Sequence, residues 1–345
     1  MKTADFDYVL PEELIAQTPL ENRSASRLLV CHRDNFEKTH TTFDHLGDFL
    51  TPGDVLVFND TKVLPARLHG IKGSTHAHIE LLLLQDLGDN RWEAIVRPAR
   101  RVGLGDRVSF GEDQLIAVCD GLGEEGIRTF RLEYQGVLLE VLDRLGEMPL
   151  PPYIHEKLKD QNRYQTVYSA VPGSAAAPTA GLHFTKPLLA ELQAQGIETI
   201  FLTLHVGLGT FRPVNVEDVE THQMHSEYYS VSPEAAKKLN KAKEEGRRII
   251  AVGTTSTRTL ETLMKKHGHF IGESGFTNIF IYPGYQFEAI DALITNFHLP
   301  KSTLMMLVSA LASKEIIMSA YAEAVQMKYR FFSFGDSMFI TNKKG

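Results

Sequence analysis

The sequence predicts an α/β fold in which a larger mixed α/β domain carries a small, inserted antiparallel β-barrel. Three observations lead there. The 345 residues exceed one typical domain and leave room for a large core beside a smaller one. Between about Val63 and Tyr134, six short β-type runs follow one another at spacings of roughly ten residues, with no helical pattern between them. Outside that stretch, helix-type and strand-type patterns alternate. The expected boundaries are 1–62 plus 150–345 for a discontinuous α/β domain carrying the active site, and 63–149 for the barrel.

In chain order, FDYVLPEELIAQTPL reads as a short strand, a proline-started helical turn around Glu12 to Ala16, and an exit at Pro19. ENRSASRLLV leads into a strand ending near Cys31. Arg23 and Arg27 flank its turn; either is able to hold a phosphate or carboxylate, although paired surface arginines are the commoner outcome. Phe43 to Leu50 resembles a helix closed by Pro52-Gly53, and VLVFND is a buried strand that arrives at Asn59, Asp60, Thr61 and Lys62. The barrel runs are ARLHGIK, HIELLLLQ, WEAIVR, DRVSF, QLIAVCD and IRTFRLEY; a helix, VLLEVLDRLG, and the MPLPPYI turn return the chain to the larger body. There KPLLAELQAQG is a helix stopped by Gly196, IETIFLTLHV a strand, PEAAKKLNKAKEEG a solvent-facing helix and RRIIAVG a strand. TTSTRTLETLMKK is a helix whose first turn offers Thr254, Thr255 and Ser256, either as a plain N-cap or as an anion-binding helix start. FTNIFIYPG and DALITNFHLP are strand-then-loop units, STLMMLVSALA is apolar on every side and so buried, and FFSFGDSMFIT supplies the last strand.

The composition narrows the function. With 43% hydrophobic and 23% charged residues the chain is globular, and it has neither a signal-like start nor an apolar run long enough to span a bilayer, so a cytoplasmic location without a membrane partner is expected. Cys31 and Cys119 are too few for a disulfide framework and read as buried thiols. A net charge of −7 argues against wholesale nucleic-acid coating but leaves room for a local basic face. Arg97, Arg100, Arg101 and Arg107, supplemented by Lys62 and Arg67, form the candidate; solvated charge at the barrel edge is the alternative.

The densest chemistry lies between Pro172 and Glu227, where Gly, Ala, Thr and His crowd between short apolar runs. Gly207-Leu208-Gly209 lacks the third glycine and the following helix of a dinucleotide fingerprint, so a Rossmann site is rejected. His222 and His225, with Glu227 nearby, raise metal binding, yet no recognised zinc spacing is present and no metal is expected. His183, His205, His225 and His298 stand at strand ends or in small-residue loops, which favours acid–base or ligand contact for at least one. In TNFHLPKST, Asn296, His298 and Lys301 are able to bring amide, imidazole and ammonium to one ligand.

These residues closely resemble one family, the S-adenosylmethionine:tRNA ribosyltransferase-isomerases of queuosine biosynthesis. The resemblance runs through PGDVLVFNDTKVLPARLHG, AAPTAGLHF, TLHVGLGTFRPV, HQMHSE, AVGTTSTRTLE, ALITNFHLPKSTLMMLVSA and YRFFSFGDSMFI, and covers nearly the whole chain. Ser174-Ala175 and Asn278 depart from the family's usual residues without removing a chemical group. It implies transfer of the ribosyl part of S-adenosylmethionine to 7-aminomethyl-7-deazaguanine at the wobble position of tRNA with a GUN anticodon, giving epoxyqueuosine with release of adenine and methionine. Within that chemistry His205 or His225 is expected to move a proton and Glu227 to orient or face the sulfonium. Thr179, His183, Thr254, Thr255 and Ser256 are expected to grip the donor or a phosphate, with Asn296 and His298 completing the pocket. Lys62, Arg67, Arg97 and Arg101 are the expected tRNA contacts of a monomer. A histidine-based metal hydrolase and a non-catalytic RNA-binding protein remain the alternatives.

Overall fold

In the computed structural model, which describes residues 1–342 except 125, 157, 208–213 and 215, the chain divides into two compact units. One comprises Met1–Thr61, Pro152–Ala170 and Pro178–Gly345; the other comprises Lys62–Pro151 and Val171–Ala177.

In chain order the strands of the first unit are β1 (Arg27–His32), β2 (Lys38–Thr42) and β3 (Val55–Asn59). After the short β4 (Thr61–Val63) come the six barrel strands: β5 (Arg67–Lys72), β6 (His78–Gly88), β7 (Arg91–Arg97), β8 (Arg107–Phe110), β9 (Leu115–Leu122) and β10 (Ile127–Tyr134). Helix α1 (Leu138–Leu145) and β11 (Val171–Ser174) follow. The chain then runs α2 (Lys186–Ala194), β12 (Glu198–Leu204), β13 (Glu227–Val231), α3 (Pro233–Glu244), β14 (Ile249–Val252) and α4 (Thr254–His267). It finishes with β15 (Glu273–Thr277), β16 (Ala292–Asn296), α5 (Thr303–Ala312), α6 (Lys314–Gln326) and β17 (Ser337–Thr341).

The six predicted barrel strands close on themselves in the order β10-β7-β6-β5-β8-β9, every pair antiparallel. Alternation explains why they do so. Along β7, Trp92, Ala94 and Val96 turn inward while Arg91, Glu93 and Arg97 do not, so one face of each strand needs covering and closure covers it without leaving an edge.

The larger unit is built on a nine-stranded sheet, ordered β15-β13-β12-β3-β14-β16-β17-β1-β2. Its centre is parallel: β12, β3, β14 and β16 run the same way. Continuous burial of β3, β14 and β16 matches strands covered on both faces. On one face Leu56, Phe58, Ile250, Val252 and Ile294 pack with Phe43, Leu46, Phe184, Leu188 and Leu192. Helix α5 is buried along most of its length, as its all-round apolar pattern predicts.

Three expectations change. Phe43–Phe49 is a 3-10 turn, because seven residues interrupted by Gly47 are too few to sustain an α-helix. The N-terminal segment forms a 3-10 turn at Thr3–Phe6 in place of the expected strand, whereas the expected proline-started turn is present as the 3-10 turn Glu12–Leu14 with Pro11 at its N-cap. Strand β15 ends before the apolar run Ile279-Phe280-Ile281; Thr277 turns back to accept a bond from the Ile279 N–H, and Ile279 and Ile281 are buried without joining a ladder. Among the described residues no single helix is long and apolar enough to cross a membrane.

Candidate functional site at the carboxyl ends of the parallel strands

Four parallel strands finish at one edge of the large sheet, and each hands over polar residues there. Strand β3 ends in Asn59, Asp60 and Thr61; β12 leads to His205; β14 leads through Gly253 to Thr254; β16 ends in Asn296. Chain order sharpens the point. After β3 the path goes to β12 on one side and then to β14 on the other, so the edge beside β3 is a topological switch point, where open α/β sheets bind ligands. Because β17 runs antiparallel to β16, and β1 parallel to β17, the starts of β17 and β1 reach the same edge with Ser333 and Ser26 just ahead of them.

On the β12 side, Asn59 ties two strand ends together: its amide donates to the Leu204 carbonyl at 2.9 Å, and its carbonyl oxygen accepts from Leu204 N–H at 3.0 Å and Thr61 N–H at 3.1 Å. That fixes the backbone from which His205 projects. Its Nδ1 lies 2.8 Å from the Thr61 hydroxyl and its ring stacks on Tyr228; among the described residues no group bonds Nε2. The ring is half-buried, and burial lowers its pKa below the ordinary value. Neutral imidazole is thereby favoured, with Nδ1 held by a hydroxyl that can donate or accept and Nε2 without a partner among the described residues. Neighbouring Asp60 accepts from the Thr203 hydroxyl at 2.7 Å, and burial raises its pKa against the lowering effect of that bond.

Glu227 does not join His205. Leu204 pairs with Tyr229 and His205 bonds Tyr228, so Glu227 falls on the opposite face of the ribbon, toward α4. There one oxygen accepts from Gly207 N–H at 3.1 Å and the other meets Arg258 Nη1. Both partners of the ion pair are about 5% exposed. Arg258 Nε and Nη2 are buried without an acceptor among the described residues. The sequence reading missed Arg258; the available signal was its place one helical turn after Thr254, on the same face of α4.

On the β16 side, His183 is 4% exposed and bonded at both nitrogens, to the Ser26 hydroxyl at 2.7 Å and to Asn296 Nδ2 at 3.1 Å. The Asn296 amide also donates to the Phe332 carbonyl, an acceptor only, which fixes its orientation. His183 Nε2 therefore accepts, and the ring proton sits on Nδ1 facing Ser26. Burial, then Arg330 and Arg23, push the His183 pKa down to about 3, so the ring stays neutral. Asn296 Oδ1 remains buried with no donor.

Gly253 opens α4 at φ +90°, a conformation that β-branched residues avoid, and turns the chain sharply from β14 into the helix. The first-turn hydroxyls are then divided. Ser256 Oγ bonds back to the Val252 carbonyl, while Thr255 Oγ1 is buried and unpartnered. Thr179 begins a 3-10 turn through His183 and is half-buried.

Other expectations are separated by the fold. His298 bonds the Thr295 hydroxyl at 2.8 Å and is lowered to about 3 by burial; its backbone is held by Tyr8 and Tyr321, away from His183's partners. Lys301 pairs with Asp7 at 2.7 Å, so TNFHLPKST does not bring amide, imidazole and ammonium to one point: the chain turns after Asn296 and each group finds a different partner. His222 caps the 3-10 turn Val219–Thr221 and meets Phe280, its pKa lowered by burial and then by His225, which is exposed. The two histidines share no helix, and among the described residues no three of His, Cys, Asp and Glu could hold a metal ion. The Gly207–Gly209 reading lies largely outside the described residues, since 208–213 are not among them. Cys31 and Cys119 are buried free thiols.

In the barrel unit Lys62, Arg97, Arg100 and Arg101 are exposed, and none has an ion pair among the described residues. Arg107 is spent on Glu133 at 2.6 Å, and Arg67 is half-buried with an unpartnered Nε.

Comparison with known proteins bears on this geometry. Residues 3–340 match the family model described as queuosine biosynthesis protein. An S-adenosylmethionine:tRNA ribosyltransferase-isomerase of Macrococcus caseolyticus is 61% identical over 340 residues, 99% of this chain and 100% of its own length. One of Staphylococcus epidermidis is 58% identical with the same coverage. The crystal structure of an S-adenosylmethionine tRNA ribosyltransferase from Thermotoga maritima aligns with a TM-score of 0.56 at 41% identity, covering 97% of this chain and 99% of that one.

Proposed function

The chain belongs to the queuosine biosynthesis protein family, and from that premise we propose the reaction and the residue roles at the sheet edge. The protein is an S-adenosylmethionine:tRNA ribosyltransferase-isomerase. The observation that carries this is full-length likeness to enzymes so named. S-adenosylmethionine is the ribosyl donor and tRNA the acceptor. In the finer reading, the acceptor is 7-aminomethyl-7-deazaguanine at the wobble position of a GUN anticodon, the product is epoxyqueuosine, and adenine and methionine leave. The enzyme works in the cytoplasm as a monomer without a metal.

The donor's sulfonium acidifies the adjacent ribose carbon, so a neutral base beside it starts the reaction. His205 is that base: its lowered pKa keeps it unprotonated, and Thr61 holds the ring while Nε2 is open. His225, exposed and outside this edge, is the second candidate for proton transfer. Glu227, neutralised by Arg258 and bonded to Gly207 N–H, orients the chain after β12. Thr179, the α4 start at Thr254–Ser256, His183 and Asn296 contact the donor or a phosphate, with Thr255 Oγ1 and Asn296 Oδ1 the groups still free to do so. His298 supports the pocket from its place beside Thr295. Lys62, Arg67, Arg97 and Arg101 contact the tRNA backbone, with the exposed Lys62, Arg97 and Arg101 making the stronger contribution.

The test mixes purified protein with S-adenosylmethionine and tRNA carrying the deazaguanine precursor. Free adenine together with a mass gain on the anticodon nucleoside supports the reading; neither product from folded protein and intact tRNA rejects it.

A further inference from the structure

Beside His183 lies a shallow cleft lined among others by Pro19, Leu20, Arg23, Arg163 and Phe334. Arg27, Arg247, Arg248 and Arg258 each pair with a carboxylate. Arg23 and Arg163, which line the cleft, and Arg330, which acts on His183, have no such pair among the described residues.

Backbone carbonyls hold these guanidinium groups in place without neutralising them. Arg23 donates to the carbonyls of Gln165, Leu182 and Asn162, Arg163 to Leu20, and Arg330 to Thr18. Arg163 Nε and Arg330 Nη1 are buried and have no acceptor among the described residues. The nearby carboxylates act on them without a direct ion pair among the described residues: Asp336 on Arg330, while accepting from Arg27 and from the Arg330 N–H, and Asp160 on Arg23, while capping the turn at Asn162. Phe332 sits at φ +69°, and a Cβ on Gly335 would come within 2.5 Å of the Arg330 and Phe331 backbone, so only glycine fits there. Unpaired, partly buried guanidinium groups with unused N–H donors are costly unless an anion completes them.

We propose that this cleft is an oxyanion-binding site of the ribosyltransferase, taking either the carboxylate of the donor's methionyl group or a phosphate of the tRNA. The proposal rests on the reading of the reaction given above. Both sources present paired oxygens to planar guanidinium donors, the geometry that arginine serves better than lysine. His183 contributes shape: it is neutral, with both nitrogens already bonded.

Binding without turnover tests it, using wild type, Arg163→Gln and Arg330→Gln with S-adenosylmethionine, its decarboxylated analogue and precursor tRNA. If the donor carboxylate is the occupant, wild type prefers S-adenosylmethionine over the analogue by about tenfold or more and each variant brings that ratio toward one. If a tRNA phosphate is the occupant, the ratio is unchanged while tRNA affinity falls about tenfold and its salt slope drops by about one. Variants that melt like wild type and keep both affinities overturn the proposal. Should a variant fail to fold, wild type decides. Inorganic phosphate that raises Tm and shifts the His183 ring resonances supports the site; no change in either overturns it. Because the phosphate titration needs no chemistry, it separates failure of the cleft from failure to release adenine.

Discussion

His183 and His205 stand at the same sheet edge in opposite circumstances. His183 is enclosed, both nitrogens are bonded, and burial with two arginines holds it neutral down to about pH 3. His205 is half-buried, bonded at one nitrogen and open at the other. The first is suited to fix shape and hydrogen-bond polarity, the second to exchange a proton. Their residue type is shared; their hydrogen-bond partners and burial differ.

Replacing His205 should break the comparison most visibly. His205→Ala is expected to slow single-turnover adenine release about 10²- to 10⁴-fold while leaving the melting temperature near wild type; full turnover would remove His205 as the base. Next comes the buried pair behind it. Arg258→Ala leaves Glu227 uncompensated and should cost about 3–5 kcal/mol in urea unfolding, whereas Arg258→Met with Glu227→Leu should cost much less. Equal losses would mean that the pair contributes through more than its charge.

The enclosed side is sharpened by acid. His183 and His298 have an ordinary value of 6.5 and stay neutral in the fold to about 3, so as pH falls below 6.5 the unfolded chain takes up these protons first. Stability should therefore decline between about pH 6 and 3, by about 1.4 kcal/mol per pH unit for each histidine. His183→Asn should remove one proton's share of that slope, measured as urea midpoints from pH 7 to 4. An unchanged slope would place the linked proton elsewhere. A smaller effect is expected at the α4 start, where Thr255→Val removes the free hydroxyl and should weaken donor binding about five- to tenfold with little change in stability. Smallest of all, Arg97→Gln or Arg101→Gln in the barrel should lower the salt slope of tRNA binding by about one each and leave donor affinity alone.

Local pattern carried much of the fold. The six barrel strands were legible from alternation and spacing, and α2, α3 and α4 from their periodicity and their Thr, Ser and Gly boundaries. The N-terminal strand and the Phe43 helix were misread because short segments rich in Pro and Gly carry too little periodicity to separate 3-10 turns from longer elements. The places of His205, Thr255 and Asn296 at the sheet edge were legible because they stand at or just after strand ends, where polar residues after an apolar run announce the edge.

The partnerships were decided elsewhere. Ser26 meets His183 across 157 positions, Asn296 meets His183 across 113, and Glu227 meets Arg258 across 31. Lys301, close to His298 in sequence, pairs with Asp7 instead. The longer strands and helices were already determined by the sequence, because they depend on the period of residues close along the chain, whereas the short Pro- and Gly-rich segments were not. Which side chains share a wall followed from the order β12-β3-β14-β16-β17-β1, set by how strands and crossovers pack. Only that tertiary order left His183 bonded at both nitrogens and His205 bonded at one.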